Sequence, residues 1–558
     1  MRTMFLLALL ALGTTLPALA QGLPAEGPRL SVASNLSQGG QARLLAKLRL
    51  LGVRNLRDGM NWALIEKVPG RYDFSSPRVA YPDGLIALGI GVSATVNWGN
   101  PLYEEGATPV TAAGLQALAD YTRALLERFP SLESLEVGNE FNGTNFVKGP
   151  MQSMTPTERA KAYIPFLAAA AQGARDARPD IRILGGSTHS MAAGYIWEVL
   201  DAGGGRYLDA LAIHPYTTPA EQLVRQVAVL RRHPQAAPLP LEMTEFGSPD
   251  PAAAASHMVR NYCQMALSGV SRAAWYPLND RGDGMVPLLT ASGDITGAGR
   301  AYSLIAEFME GRPVLDPTAD DAATYGCQFG RNVVVLWGAE RAMGVSEGLR
   351  VINAEGLDAP RPLSVTPYAP LIVVDDGGGD VMAKITLESH RILADSFHDF
   401  AYPKAEEVRA PGDRFERFAR RGEQVIPLVT RPGQERPGTP WFPYRAGKDV
   451  QQARLTAETL TPAGNNRSPV EIVHRYSATD AGTVVLKANF ATGENSETGI
   501  TVSLRVNGAV VDRHEAVRQV QIDRALALER GDTVELSVDP NGSPKGDTTK
   551  YRITISAS

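Results

Sequence analysis

Cysteine is nearly missing from this chain: Cys263 and Cys327 are the two that its 558 residues contain. Two are too few for a disulfide-framework domain, and without clustered His or Cys ligands they do not make a metal centre. Cys263 falls on a predicted helix and Cys327 in a predicted strand of a different domain. The sequence leaves two readings open, a disulfide or two buried thiols. A basic excess is also missing, with 55 Lys and Arg against 60 Asp and Glu and a net charge of −5. Charges of both signs are interspersed, which excludes the footprint of a nucleic-acid binder. Beyond the N-terminus no segment is long and apolar enough to span a bilayer.

Several catalytic signatures are absent as well. Ser34-Asn35-Leu36-Ser37 is no glycine-rich phosphate turn, and there is no P-loop. Gly185-Gly186-Ser187-Thr188-His189 does not fit the nucleophile elbow of serine hydrolases. His514-Glu515-Ala516-Val517-Arg518 lacks the second His of a zincin helix. No repeat marks a propeller or solenoid. No cofactor and no catalytic metal are expected.

What is present begins with an address. Arg2 gives a positive start, Phe5 to Leu12 an apolar run too short to span a membrane, and Ala18-Leu19-Ala20 a small-x-small cleavage site. Residues 1–20 read as a signal peptide cleaved after Ala20, so the mature chain is expected to be secreted or periplasmic. Gln21, where a lipoprotein would carry cysteine, argues against a lipid anchor.

Residues 21–312 alternate short apolar segments with amphipathic ones. Strands are predicted at Leu30–Ser34, Val53–Arg57, Gly91–Val96, Leu132–Gly138, Ile181–Gly185, Leu208–His214, Leu239–Thr244 and Ala273–Tyr276. Each reads as a run buried on both faces. Helices are predicted at Gln41–Leu51, 111–129, Pro251–Leu267 and Ala298–Met309. In 111–129, Leu115, Leu118, Thr122, Leu125, Leu126 and Phe129 recur at helical spacing. Another helix opens with the capping box Thr155-Pro156-Thr157-Glu158. Eight βα units of this size predict an α/β fold, a (β/α)8 TIM barrel.

From Pro313 the pattern turns to strands. Residues 313–380 predict a small β-sandwich side domain closed by a Gly377-Gly378-Gly379 linker. Residues 390–558 predict a C-terminal β-sandwich of jelly-roll type, with turns at Asn507-Gly508, Gly531-Asp532 and Asn541-Gly542. The polar, proline-bearing stretch 403–440 reads as loop.

In such a barrel the chemistry sits at the C-terminal strand ends. Read in order, these ends carry Arg57-Asp58, Asn97-Trp98, Gly138-Asn139-Glu140, Thr188-His189, His214-Pro215-Tyr216, Thr244-Glu245 and Trp275-Tyr276. Aromatic faces suit sugar rings, and Asn, His and Arg suit hydroxyls. Glu140 and Glu245 face each other from strands four and seven, the pair of carboxyls that glycosidic cleavage needs. Carboxyl oxygens about 5–5.5 Å apart would specify retention, and about 8 Å inversion. Glu242, three residues before Glu245, reads as structural, on the opposite strand face.

These segments resemble a known group. Val137-Gly138-Asn139-Glu140-Phe141-Asn142, Ile213-His214-Pro215-Tyr216 and Leu241-Glu242-Met243-Thr244-Glu245-Phe246-Gly247 are similar to signature segments of clan A retaining glycosidases. Residues 29–376 look most like glycoside hydrolase family 39, which includes β-xylosidases, iduronidases and bacterial exopolysaccharide endoglycosidases. The resemblance implies Glu140 as acid/base and Glu245 as nucleophile. It implies Asn139 on the sugar 2-OH, Tyr216 orienting the nucleophile and Trp275 as a platform. Phe141 departs from the Asn-Glu-Pro of many relatives and puts the neighbouring subsite in question. His214 and Tyr216 also read as core residues, and Arg57 with Asp58 as an internal ion pair. Trp62, Trp98, Asn97 and His189 are subsite candidates. The function expected is hydrolysis of a polysaccharide or oligosaccharide, possible substrates including bacterial exopolysaccharides. The C-terminal domain is expected to serve as a carbohydrate-binding module. The alternative is a non-catalytic polysaccharide-binding protein with a degenerate barrel.

Overall fold

The computed structural model describes residues 25–39 and 45–558. The signal peptide and the start of the first helix lie outside the described residues. Eight parallel strands close into a barrel: β1 (Arg29–Ala33), β2 (Asn55–Gly59), β3 (Gly91–Val96), β4 (Leu132–Val137), β5 (Arg182–His189), β6 (Ala210–His214), β7 (Leu241–Phe246) and β8 (Val270–Trp275). Neighbours follow chain order around the ring, and β8 pairs with β1. The helices outside it are α1 (Leu45–Leu51), α2 (Tyr81–Ile86), α3 (Ala112–Arg128), α4 (Pro156–Ala177), α5 (Ala193–Asp201), α6 (Ala220–Leu230), α7 (Ala254–Leu267) and α8 (Gly297–Phe308).

Local chemistry starts the helices where expected. Thr111 caps α3 by accepting from Gly114 N at 3.2 Å. Thr155 and Glu158 form the reciprocal capping box of α4, with Pro156 at its first position. Gly173 lets α4 close on α3, since a Cβ there would sit 1.9 Å from Ala119 O.

Three expectations are corrected inside the barrel. The strands are not apolar on both faces. Ser31, Asn55, Arg57, Ser93, Thr95, Ser134, Glu136, Glu242, Thr244 and Arg272 interlock by hydrogen bonds and ion pairs across strands. Strand five runs on to His189 through an irregularity against β6 between Gly185 and Thr188. Glu242 is structural, as expected, but it lies in the barrel interior, paired with Arg182 at 2.9 Å. A register shift between Met243 and Phe246 brings Glu245 to the site after Thr244 rather than by simple alternation.

The side domain packs a five-stranded antiparallel sheet beside a three-stranded one. Its predicted linker is a turn: Gly377-Gly378-Gly379 precedes strand Ile385–Leu387, which still pairs with Arg341–Val345. The domain therefore extends past residue 380. Cys263 on α7 and Cys327 in strand Thr324–Phe329 are joined, Cα–Cα 5.7 Å. The bond ties the side domain to the barrel.

The C-terminal domain is one fourteen-stranded antiparallel sheet folded over a shared core. Asn507-Gly508 is a two-residue hairpin turn with both φ positive. The stretch 403–440 is not all loop, because it contains strands Phe415–Arg421 and Gln424–Arg431. Phe415, Ala419, Ile426 and Leu428 point into the core. On the same sheet Arg420 and Arg475 pair with Glu471, Glu535 and Glu416. The polar composition is the charged face of a half-buried sheet. This domain grips the barrel through α6, where Gln222 donates to Phe397 O at 2.8 Å and Arg225 to His398 O at 2.5 Å. Just beyond the helix, Arg232 donates to Tyr402 O at 2.6 Å.

The disulfide closes a loop with sequence separation 64. Chain entropy assigns such a loop about 4 kcal/mol, with measured losses of about 2–5 kcal/mol on removal. Cys263→Ser/Cys327→Ser should lower the melting temperature by several degrees relative to the oxidised chain. Equal melting of the oxidised and fully reduced wild type would show that the link contributes nothing.

Candidate active site

The site rests on a charge buried under the barrel mouth. Arg57 on β2 is ion-paired to Glu136 on β4 and to Glu245 on β7, and Glu136 is completely buried. Burial alone would neutralise all three groups. Mutual attraction overrides it, holding Arg57 well above its ordinary pKa and the carboxyls of Glu136 and Glu245 below theirs. Thr95 and Thr244 complete the cage by donating to Glu136 at 3.1 and 2.9 Å.

His214 ends β6 within this cage, fully buried. Its Nδ1 lies 3.0 Å from Glu140 Oε1 and 3.6 Å from Glu245 Oε2. Its Nε2 meets Thr244 Oγ1 at 3.1 Å. Burial opposes protonation, but Glu245, Glu136 and Glu140 outweigh it and the repulsion of Arg57, lifting the imidazole to about 9. At neutral pH His214 is a cation among three carboxyls.

Above the cage stand the two glutamates. Glu245 receives Tyr216 OH at 2.9 Å as well as Arg57. Burial and the adjacent Glu245 charge push Tyr216 well above its ordinary value, so it stays a donor. Glu140 follows β4 with φ +48, after Gly138 at φ +92. This turn is pinned by Phe141, buried against Tyr163 and Phe166 with ring centroids at 5.2 and 5.1 Å. Phe141 thus anchors the Glu140 loop from behind. Oxygens of Glu140 and Glu245 approach within 4.8 Å. That spacing matches a nucleophile facing an acid/base and is too close for the intervening water of inversion.

Asn139 accepts from Arg57 at 2.9 Å, and its amide nitrogen has no partner among the described residues. Asn97 positions it, accepting from Asn139 N at 2.8 Å. Trp98, 43% exposed, tilts over Phe146 at 5.7 Å. A cavity of ≈160 Å³ brings Arg57, Asn97, Trp98, Asn139 and Phe146 together. A second, of ≈270 Å³, is lined by Glu140, Asn145, Phe146, His189 and Trp441.

Three candidates are placed differently. Trp275 is completely buried, edge-on to Phe246 and donating to Val286 O at 3.0 Å, so it presents no face to a sugar. Asp58 borders the first cavity, but its carboxylate is occupied by Ser34, Ser37, Leu36 N and Gly59 N, and it shapes the loop after β1. Trp62 is buried on Glu66 and the rings of Tyr103 and Tyr121. Sequence reasoning passed over Glu136, Thr244 and Trp441. The alternation Ser134-Leu135-Glu136 inside a core strand was a signal for Glu136. A Trp-Phe pair in a polar Pro/Gly loop was one for Trp441.

Glu140, His214 and Glu245 have donor atoms spaced as a metal ion would need, the one such group among the described residues. Two positive side chains, Arg57 and protonated His214, already occupy the carboxylates of that group. A cation would have to displace them.

No family model matches the chain, and no curated protein does. Among solved structures it is similar to a family 39 glycoside hydrolase of Bacteroides cellulosilyticus WH2. Identity is 17%, TM-score 0.52, and the match covers 63% of this chain and 82% of that one. A family 39 β-xylosidase of Caulobacter crescentus matches at 18% identity and TM-score 0.46, over 62% and 96% of the two chains. A family 39 enzyme of Xanthomonas axonopodis pv. citri matches at 15% and 0.44, over 93% and 95%. The likeness to the first establishes a shared fold, the (β/α)8 barrel.

Two predictions follow from the buried charges. Arg57→Met leaves Glu136 buried and uncompensated and should cost about 3–5 kcal/mol in urea unfolding. Arg57→Met/Glu136→Leu should cost less than that single change, and a larger loss would contradict the pairing. The second concerns pH. The depressed carboxyls stabilise the fold above their unfolded value of about 4.3, and this is lost as pH falls below it. His214, raised to about 9, stabilises fully below its unfolded value of about 6.5, and this is lost as pH rises through 9. Melting temperature against pH should plateau between about 4.3 and about 6.5 and decline towards 9, and His214→Gln should remove the alkaline decline.

Proposed function

We propose that this chain is an exported retaining glycoside hydrolase that cleaves a polysaccharide by double displacement. The observation that carries it is the Glu140–Glu245 pair within 4.8 Å, one member held by Arg57, Tyr216 and His214, the other, among the described residues, by His214 alone. Glu245, kept anionic, attacks the anomeric carbon while Glu140 gives its proton to the departing oxygen. Glu140 then takes a proton from water, which displaces Glu245 from the sugar. The free amide nitrogen of Asn139, beside Arg57, suits the hydroxyl next to the reacting carbon. Two cavities meeting at Phe146 suit a chain that continues past the reacting sugar, and bacterial exopolysaccharides are the substrates to try first. Export draws support from the leader-like first twenty residues and from a disulfide, which persists in oxidising compartments.

Reducing-end release from xanthan, gellan, alginate and bacterial cellulose tests the reading. Binding without cleavage by the wild type would favour the non-catalytic alternative. Chelator should leave the rate unchanged, and loss restored by one divalent ion would contradict the acid/base scheme.

The two glutamates should separate by variant. Glu245→Ala should abolish cleavage of every substrate, since no glycosyl-enzyme forms. Glu140→Ala should lose about 10²–10⁴-fold on natural linkages but still be glycosylated by an activated aryl glycoside. Azide should restore its turnover and give a glycosyl azide of retained configuration. A glycosyl azide of retained configuration from Glu245→Ala, and of inverted configuration from Glu140→Ala, would exchange the two roles.

A further inference from the structure

The C-terminal domain reaches into this site. Strands Gln424–Arg431 and Tyr444–Gly447 are joined by a loop, residues 432–443, whose conformation is held from the barrel side. The buried side chain of Gln434 meets Asn142, two residues past Glu140, in both directions: Asn142 Nδ2 donates to its Oε1 at 2.7 Å, and its Nε2 donates to Asn142 O at 2.9 Å. Gly194 N, in α5, donates to Gly433 O at 2.9 Å. Contact there is so close that a Cβ on Gly194 would lie 2.4 Å from that oxygen. Phe442 packs against the barrel core, and Gln434 N closes the loop on Pro440 O at 2.7 Å.

Trp441 stands at the crest of this loop and remains 39% exposed. Its ring lies over Gly143, where a Cβ would be 3.4 Å away, and edge-on to His189 at 5.9 Å. Trp62, Trp275 and Trp337 are fully buried, whereas Trp441 leaves part of its ring open. This one borders the cavity that contains Glu140 but not Glu245, Arg57 or Asn139.

We propose that Trp441 is the stacking platform of the leaving-group subsite, which makes the C-terminal domain a wall of the active site rather than a separate binding module. The inference rests on the glycosidase reading above. If Glu140 protonates the departing oxygen, the cavity that holds Glu140 without the nucleophile receives the departing sugar. There an indole face covers the apolar face of a pyranose, and Asn145 and His189 supply polar contacts at its edge. Gln434 is a positioning residue that acts through Asn142 and Trp441.

The test compares two probes made for the sugar that the polysaccharide panel identifies. One is the fastest-cleaved polysaccharide, which fills the leaving-group side. The other is the corresponding glycosyl fluoride, whose leaving group leaves that side empty. Trp441→Ala should lose roughly tenfold or more in kcat/KM on the polysaccharide, chiefly through KM, and stay within about twofold on the fluoride. Trp441→Phe, which keeps an aromatic face, should recover most of the loss, with the melting temperature unchanged in both. Equal losses on both probes, or none on the polysaccharide, would overturn the subsite while leaving the glycosidase reading intact. A wild type that turns over neither probe would overturn that reading, and the subsite with it.

Discussion

A guanidinium shut between two carboxylates organises the barrel mouth. Arg57 cannot leave the interior without stranding Glu136, which has no water to turn to, and cannot stay without a second anion to balance His214. That second anion is Glu245. The fold therefore holds the glutamate ionised through a network that is itself buried, where electrostatic attraction is least screened. Charges in such surroundings are costly unless paired and hydrogen-bonded, and the interior supplies Thr95, Thr244 and Tyr216 to complete the set. The polar layers beneath, from Ser31 to Arg272, continue the same solution down the barrel.

This arrangement also separates two carboxyls of the same type. Glu245 is locked by donors from β2 and β6, whereas Glu140 sits on a left-handed turn after β4 and touches one cation. The turn is held at Phe141 by aromatic packing and at Asn142 by bonds to His189 and Gln434. The roles proposed for the two differ likewise: a nucleophile must be fixed and anionic, while an acid/base must trade a proton twice. The supports differ in the same sense.

The domains are attached where that matters. The disulfide binds the side domain to α7, and the C-terminal domain is bonded along α6 and at the loop that carries Glu140. Its core also takes in Val229 of α6 and packs against Trp197 of α5. The three regions are therefore coupled through packed contacts rather than joined by free linkers.

Much of the barrel was legible because its signals are local. Strand spacing, the Thr155–Glu158 capping box and the Asn507-Gly508 turn depend on neighbours a few residues apart, and each element formed near its expected place. So did the position of the strand ends: Glu140 and Glu245, read at the ends of strands four and seven, meet at the barrel mouth. Other features depend on partners far along the chain. Whether Asp58 and Trp275 faced the cavity was set by Ser34, Ser37 and Val286, which nothing adjacent to them announces. Glu136 could be assigned only with Arg57 opposite it, 79 residues away in sequence. The charged sheet face at 415–431 reads as loop until Glu471 and Glu535 stand beside it. Trp441 lies about 300 residues from Glu140, and their meeting rests on reciprocal hydrogen bonds between Gln434 and Asn142, 292 positions apart. Periodicity and caps are written in short segments because backbone geometry is local; the neighbours of a buried charge or an exposed ring are not, because packing alone brings distant segments together.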